Sequence, residues 1–464
     1  MRTSSSGPHP FRALPGLALL LCLLPGCVHR SPNPPLAQPD LTHGYYFHTH
    51  QRPNNSSDTL FVLCFSGGGT RAAALSLGVL EELRRTPLAR AGRTNRLLDE
   101  VDAISSVSGG SVTAAAYTLL GEEVFDQLDA AFLKRNIQRQ IVGRTLNPFR
   151  WPRLWSKTFS RSDLAAELYD QVLFHGATFA DLNRRPGAYT AINATDIDSG
   201  ARFSFTQYQF DLLCADLGPV RVAQAVAASS AVPGLLSPIT LNNYAGRCEA
   251  TVADGVREAV RTRSRERDGR AWFHFAEMSS YLDSTNRPYL HLVDGGVADN
   301  LGIRAVLDGL YTIEANPPLR DRYDLRRIRN IAIVVVNAYS KPETGWSRRE
   351  QPPGDLSVAV AGASIPLDRY SYETIELLKE EVERWRVGQA AVPGAVQPPP
   401  QIRAIVVGFG NLTDPEERRY FMNQPTSFRL PDEVVDRIRE VGGRLLRESA
   451  EYRAFLGDLA QPTP

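Results

Sequence analysis

The chain has 464 residues, a net charge of +1 and 43% hydrophobic residues. It is long enough to bury a large core, as one domain or two. The balanced charge and the absence of any long Lys or Arg run exclude the basic bias that a nucleic-acid partner requires, so no nucleic acid is expected.

At the N-terminus, Arg2 and Arg12 flank the approach to an apolar run from Ala13 to Leu24. This pattern reads as a signal peptide over residues 1–26, too short for a comfortable membrane span. The following Leu24-Pro25-Gly26-Cys27 resembles the bacterial lipobox. That resemblance implies acylation of Cys27 and an exported, membrane-anchored lipoprotein of the bacterial cell envelope. Val28, in place of Asp, favours the outer membrane. Simple secretion with Cys27 as a spare thiol is the alternative. Residues 27–58 are rich in Pro, Asn, Ser and His and read as a flexible tether. His43, His48 and His50 lie there without a cysteine at ligand spacing, so they read as solvated residues and no metal site is expected.

Thr59 to Phe65 is a continuous apolar run, as expected for a strand buried on both faces. It enters Ser66-Gly67-Gly68-Gly69-Thr70-Arg71 and then a helix pattern with Leu75, Val79 and Leu83 on one face. A glycine run at a helix N-terminus presents backbone N–H groups and a positive dipole end to an anion. Neither phosphate-loop spacing is present. An oxyanion hole made by the Gly67, Gly68 and Gly69 amides fits better.

A second buried strand, Leu97 to Ser106, runs into Ser106-Val107-Ser108-Gly109-Gly110 and an alanine-rich helix. Small residues at a strand-to-helix turn form a nucleophile elbow, which holds Ser108 exposed in a strained turn. Ser106 stands where the first elbow glycine is usual. Between Lys134 and Arg161, Lys and Arg alternate with Phe149, Trp151, Trp155 and Phe159. That mixture suits a membrane interface and predicts a docking loop or lid; an irregular excursion whose aromatics pack on the body is the alternative.

Ala188 to Asn193 and Arg202 to Thr206 read as strands, and Arg221 to Ala228 as a helix. Cys64 lies in a strand pattern and reads as a buried small hydrophobe. Cys214 and Cys248 lie in polar sequence and, in an oxidising compartment, are expected to form a disulfide. Further on, the strand Tyr289 to Val293 delivers Asp294 to the turn Gly295-Gly296. Strand ends on one edge of an open α/β sheet converge, which directs Asp294 toward Ser108. His291 points away from Asp294 by strand alternation and reads as a histidine of the core or one step removed from the chemistry. Arg329 to Asn337 and Ile402 to Phe409 are further strands, with helices around Tyr372 to Trp385 and Asp432 to Leu446. Strand alternating with helix predicts a three-layer α/β/α fold with a mostly parallel central sheet.

Gly67-Gly68-Gly69-Thr70-Arg71, Ser106-Val107-Ser108-Gly109-Gly110 and Asp294-Gly295-Gly296, in this order, resemble the patatin-like phospholipases, whose pattern is G-G-G-x-R-G, G-x-S-x-G and D-G-[GA]. Ala72 and Ser106 depart from it, each by one small side chain. The resemblance covers Thr59 to Asn337, with a family-like tail at Pro425-Thr426-Ser427-Phe428 and a segment near the site at Ser229 to Pro233. It implies a patatin-like catalytic domain over 59–340, with 341–464 an extension packed on it. It also implies Ser108 as nucleophile, Asp294 as its partner, Gly67, Gly68, Gly69 and Arg71 at the oxyanion hole, and no cofactor. A Ser-Asp dyad is chemically coherent, since a serine hydroxyl needs a neighbouring base and an oxyanion needs oriented donors. The implied activity is hydrolysis of fatty-acyl esters of membrane glycerophospholipids, as a phospholipase A or lysophospholipase. A general carboxylesterase or acyltransferase, or a catalytically silent lipid-anchored envelope protein, are the alternatives.

Overall fold

The run Thr59–Phe65 forms the strand β1 that divides the core. Its alternate residues serve opposite faces: Phe61, Leu63 and Phe65 enter one apolar cluster, Val62 and Cys64 the other. The computed structural model describes residues 33–90, 93–156, 159–249, 251–315, 327–390 and 400–460. The expected signal peptide and Cys27 lie outside them.

After β1 come helix α1 (Thr70–Arg85), a ribbon of β2 (Pro87–Arg90) and β3 (Arg93–Arg96), strand β4 (Ala103–Val107) and helix α2 (Gly109–Leu120). β5 (Tyr189–Asp196), β6 (Arg202–Phe205), helix α3 (Val222–Ser229), β7 (Ile239–Asn242) and β8 (Tyr289–Asp294) follow. The chain closes with helix α4 (Ile303–Ala315), β9 (Asn330–Asn337), helix α5 (Asp355–Ala390), β10 (Gln401–Gly408) and helices α6 (Asp432–Glu448) and α7 (Ala450–Leu459). The main sheet has eight strands in the order β10-β9-β1-β4-β5-β8-β7, with β6 also on β5. From β10 to β5 all neighbours are parallel. The architecture is therefore the expected α/β one with a mostly parallel sheet, and its apolar clusters lie on both faces.

One edge departs from the parallel rule. β8 runs antiparallel to β5 and to β7. Asp294 therefore does not reach the site through convergence of parallel strand ends. It arrives from the opposite direction, and register brings it level with the elbow. Val107 faces Asn193 across β4–β5, and the next residue, Ala194, faces Asp294 across β5–β8.

The boundary expected at residue 340 cuts through this sheet. β10 hydrogen-bonds to β9 from Gln401↔Asn330 to Gly408↔Asn337, so the C-terminal part supplies a sheet strand and not only a packed extension. Its helix α6 lies directly on α1. A Cβ at Gly78 would stand 2.0 Å from the Arg439 carbonyl oxygen, an approach open only to glycine.

The expected tether also differs from the structure from Asn33 onward. Tyr45 is buried, stacks on Tyr189 and exchanges hydrogen bonds with the Thr190 backbone. Tyr46 donates to Asp211 at 2.7 Å. His50 is buried as well, not solvated. The two tyrosine rings, with backbone hydrogen bonds from Leu36 to Cys214 and from Asp216 to Pro34, hold the stretch against the body. Cys214 and Cys248 are disulfide-bonded, S–S 2.04 Å, and Cys64 is free and buried. Among the described residues no helix is long and apolar enough to cross a membrane.

Candidate active site

Ser108 sits between β4 and α2 with φ 51° and ψ −120°, a backbone conformation that a side chain rarely adopts. Glycine at the next position makes this turn possible. A Cβ on Gly109 would stand 2.0 Å from the Gly69 carbonyl oxygen and 2.8 Å from its nitrogen, so the elbow and the glycine loop touch backbone to backbone. Ser106, in place of an elbow glycine, is fully buried and its hydroxyl donates to the Ala191 carbonyl at 3.1 Å. A small hydroxyl is therefore accommodated there.

The Ser108 hydroxyl donates to Asp294 Oδ2 at 2.9 Å. The other carboxylate oxygen accepts the Gly296 amide at 2.8 Å, within the Gly295-Gly296 turn. The Asp294 amide donates to the Ala231 carbonyl and the Gly295 amide to that of Ser229, both at 3.0 Å, while Thr195 Oγ1 donates to the Asp294 carbonyl at 2.9 Å. The Asp294 backbone and the Gly295 amide are thus tied to Ser229 at the end of α3, to Ala231 just beyond it and to β5. Burial raises the Asp294 pKa to about 6, against the opposing pull of the Gly296 N–H and the Ser108 O–H. A carboxylate with a pKa near neutrality can both take and return a proton.

The glycine loop is organised differently from the expectation. The Gly67 amide donates to the Asn300 carbonyl at 2.9 Å and is not open to an oxyanion. The Gly68 and Gly69 amides donate to no acceptor among the described residues. The Gly109 amide, first of α2, is likewise uncommitted and stands at the positive end of the helix. Arg71 also turns away from the chemistry. Its guanidinium donates to the carbonyls of Ala338 and Gln424, at 2.8 and 2.7 Å, and to Thr426 Oγ1 at 3.0 Å. Burial draws its pKa down to about 10, which leaves it cationic at neutral pH. Arg71 therefore clamps the loop to the C-terminal segment, where the Thr70 amide also meets the Ser427 carbonyl at 2.9 Å.

His291 is exposed, not in the core, and its Nδ1 lies 2.9 Å from Thr240 Oγ1. Among the described residues no histidine is hydrogen-bonded to Ser108 or Asp294, and no group of His, Cys, Asp or Glu is placed to hold a metal ion.

The partners that hold the two side chains carry little local signal in the sequence. Ser229 Oγ accepts the Ser108 amide at 2.8 Å, donates to the Asn193 carbonyl at 2.6 Å and lies 3.0 Å from Ser111 Oγ. The only local signal was the small-residue stretch from Ser229 to Pro233. Thr195 and Asn300 carried none.

A family model described as patatin-like phospholipase matches residues 63–307. A patatin-like phospholipase domain-containing protein of Aspergillus terreus is 28% identical over 198 residues, 42% of this chain and 24% of its own. One of Neosartorya fischeri is 29% identical over 182 residues, 39% of this chain and 22% of its own. The chain thus spans about a quarter of the length of the curated relatives it matches. Human GIVD cytosolic phospholipase A2 aligns with a TM-score of 0.42 at 13% identity, over 87% of this chain and 62% of its own.

Proposed function

Since the chain belongs to the patatin-like phospholipase family, we propose that it is a serine acyl hydrolase of membrane glycerophospholipids, of phospholipase A or lysophospholipase type. Ser108 is its nucleophile and Asp294 its base. The observation that carries this reading is the 2.9 Å hydrogen bond from the Ser108 hydroxyl to a buried carboxylate whose pKa is raised to about 6.

In the proposed reaction the Ser108 Oγ attacks the ester carbonyl carbon while its proton passes to Asp294 Oδ2. The negative charge on the former carbonyl oxygen is met by the Gly68, Gly69 and Gly109 amides. Collapse breaks the ester C–O bond, and the leaving alkoxide takes the proton from Asp294. An acyl-serine remains. Water then attacks it, its proton goes to Asp294 and on to Ser108 Oγ, and the fatty acid departs. Burial of the carboxylate keeps the shared proton between the two groups and away from bulk water. We further propose that the chain is exported and anchored through an acylated Cys27.

The test is incubation of the purified protein with phospholipids and lysophospholipids labelled at one acyl position, with products resolved by mass spectrometry. Release of free fatty acid, abolished in Ser108→Ala, is expected. No release above the Ser108→Ala background from any of these lipids overturns the reading.

A further inference from the structure

Between Lys134 and Arg161 the chain has eight Lys or Arg and no Asp or Glu, whereas its overall charge is +1. The helix Ile137–Leu146 in this stretch buries Ile137 and Ile141. The other side of the segment faces water with large apolar groups: Phe149 is 92% exposed, Trp155 78%, Leu146 67% and Trp151 43%. Phe159 alone of the stretch's aromatics turns inward, under the Arg153 guanidinium at 4.0 Å. So many large apolar side chains in one short exposed segment mark an interaction surface, not ordinary surface scatter.

Charge says what the surface fits. Arg150 and Arg153 share a single carboxylate, that of Glu167. Arg135 and Arg139 are exposed and form no ion pair among the described residues. The excess of positive charge interleaved with aromatics matches an anionic lipid surface, where guanidinium groups meet phosphates and Trp rings rest at headgroup depth.

The segment also sits at the site. Gln138 Oε1 accepts from Ser427 Oγ at 2.9 Å, and the Ser427 carbonyl in turn receives the Thr70 amide beside the glycine loop. At the other end, Arg161 Nε donates to Ser237 Oγ at 3.3 Å, just beyond the Ser229–Ala231 stretch that holds Asp294. The segment is thus tied at one end to the residue that meets the glycine loop and at the other to the chain just beyond Ala231.

We propose that residues 134–156 dock the protein on anionic phospholipid bilayers, with Leu146, Phe149 and Trp155 inserted at headgroup depth and Arg135 and Arg139 on lipid phosphates. This rests on the acyl-hydrolase reading for its purpose, but its test does not. The full chain carrying Cys27→Ser, so that no acyl anchor contributes, is sedimented with phosphatidylcholine vesicles with and without phosphatidylglycerol. It is assayed on the same vesicles and on a water-soluble p-nitrophenyl ester.

The chain is expected to sediment with the anionic vesicles in preference to the neutral ones. Phe149→Ala with Trp155→Ala should weaken sedimentation by about tenfold or more, since two aromatic rings each bring a large apolar area to the interface. Vesicle hydrolysis should fall with it, while turnover of the soluble ester stays unchanged. Arg135→Gln with Arg139→Gln should weaken binding and flatten its dependence on salt. Sedimentation of the aromatic variant equal to that of the parent overturns the proposal. So does equal binding to neutral vesicles, or a dimer that the variant loses while vesicle binding persists. Failure to cleave either substrate would refute the catalytic reading and leave sedimentation to decide docking.

Discussion

Ser229 and Ser108 are joined by a hydrogen bond from the Ser108 amide to the Ser229 hydroxyl, 2.8 Å long and closed across 121 residues of chain. The same hydroxyl donates to the Asn193 carbonyl, so one buried side chain holds the elbow against both β5 and α3. Ser229 is a positioning residue, and its loss should misplace the nucleophile. Ser229→Ala is expected to lower kcat on a soluble ester by about 10- to 100-fold, the scale of a small misalignment of reacting groups. KM should stay within about twofold, because uniform substrate binding is untouched. A purely structural role would instead reduce the folded fraction and leave kcat per folded molecule unchanged.

Asp294 should impose an acid limb on the activity. Its carboxylate must be ionised to accept the Ser108 proton, and its pKa is raised to about 6. kcat/KM on a soluble ester is therefore expected to rise from acid pH and level off above about 6 to 7. Asp294→Asn should lose about 100- to 10,000-fold and the limb with it.

The same shift has a stability consequence of defined sign. The folded pKa, about 6, lies above the ordinary 3.8, so the group's contribution is fully present below about 3.8 and is lost as pH rises through about 6. The difference is worth about 3 kcal/mol. Asp294→Asn should melt higher than the parent at pH 7.5, with a gap that closes toward pH 4. A constant gap across that range contradicts desolvation of the carboxylate as the cause.

The three turns of the site were legible in the sequence because each is set by local residue types: Gly67 to Gly69, Ser108 with Gly109, and Asp294 with Gly295. The strand cores were legible too, since Phe61, Leu63 and Phe65 alternate with Val62 and Cys64. What could not be read was long-range. Nothing local to Tyr289–Asp294 says whether the strand runs with or against β5, and only the Ala194↔Asp294 register shows how the carboxylate still meets the serine. The family resemblance implies a place for Arg71 at the oxyanion hole. Three carbonyl and hydroxyl acceptors, two of them more than 350 residues away, turn it into a clamp. Tyr45 and Tyr46 sit among prolines and asparagines, and their burial depends on Tyr189, Thr190 and Asp211, far along the chain.

The Cys214–Cys248 bond bridges a sequence separation of 34 residues. Closing a loop of that length restricts the unfolded chain by about 4 kcal/mol in the entropic model. Cys214→Ser with Cys248→Ser should lower the Tm in non-reducing buffer. The difference should vanish when the parent is fully reduced. Equal Tm values under non-reducing conditions would show that the bond contributes nothing.

The central claim is that Ser108, activated by Asp294, is the nucleophile, and covalent labelling with a fluorophosphonate tests it most directly. Intact-mass and peptide analysis should find one adduct, on Ser108, formed quickly in the parent, slowly in Asp294→Asn and not at all in Ser108→Ala. An unlabelled parent, or a label that persists at another residue in Ser108→Ala, would contradict it.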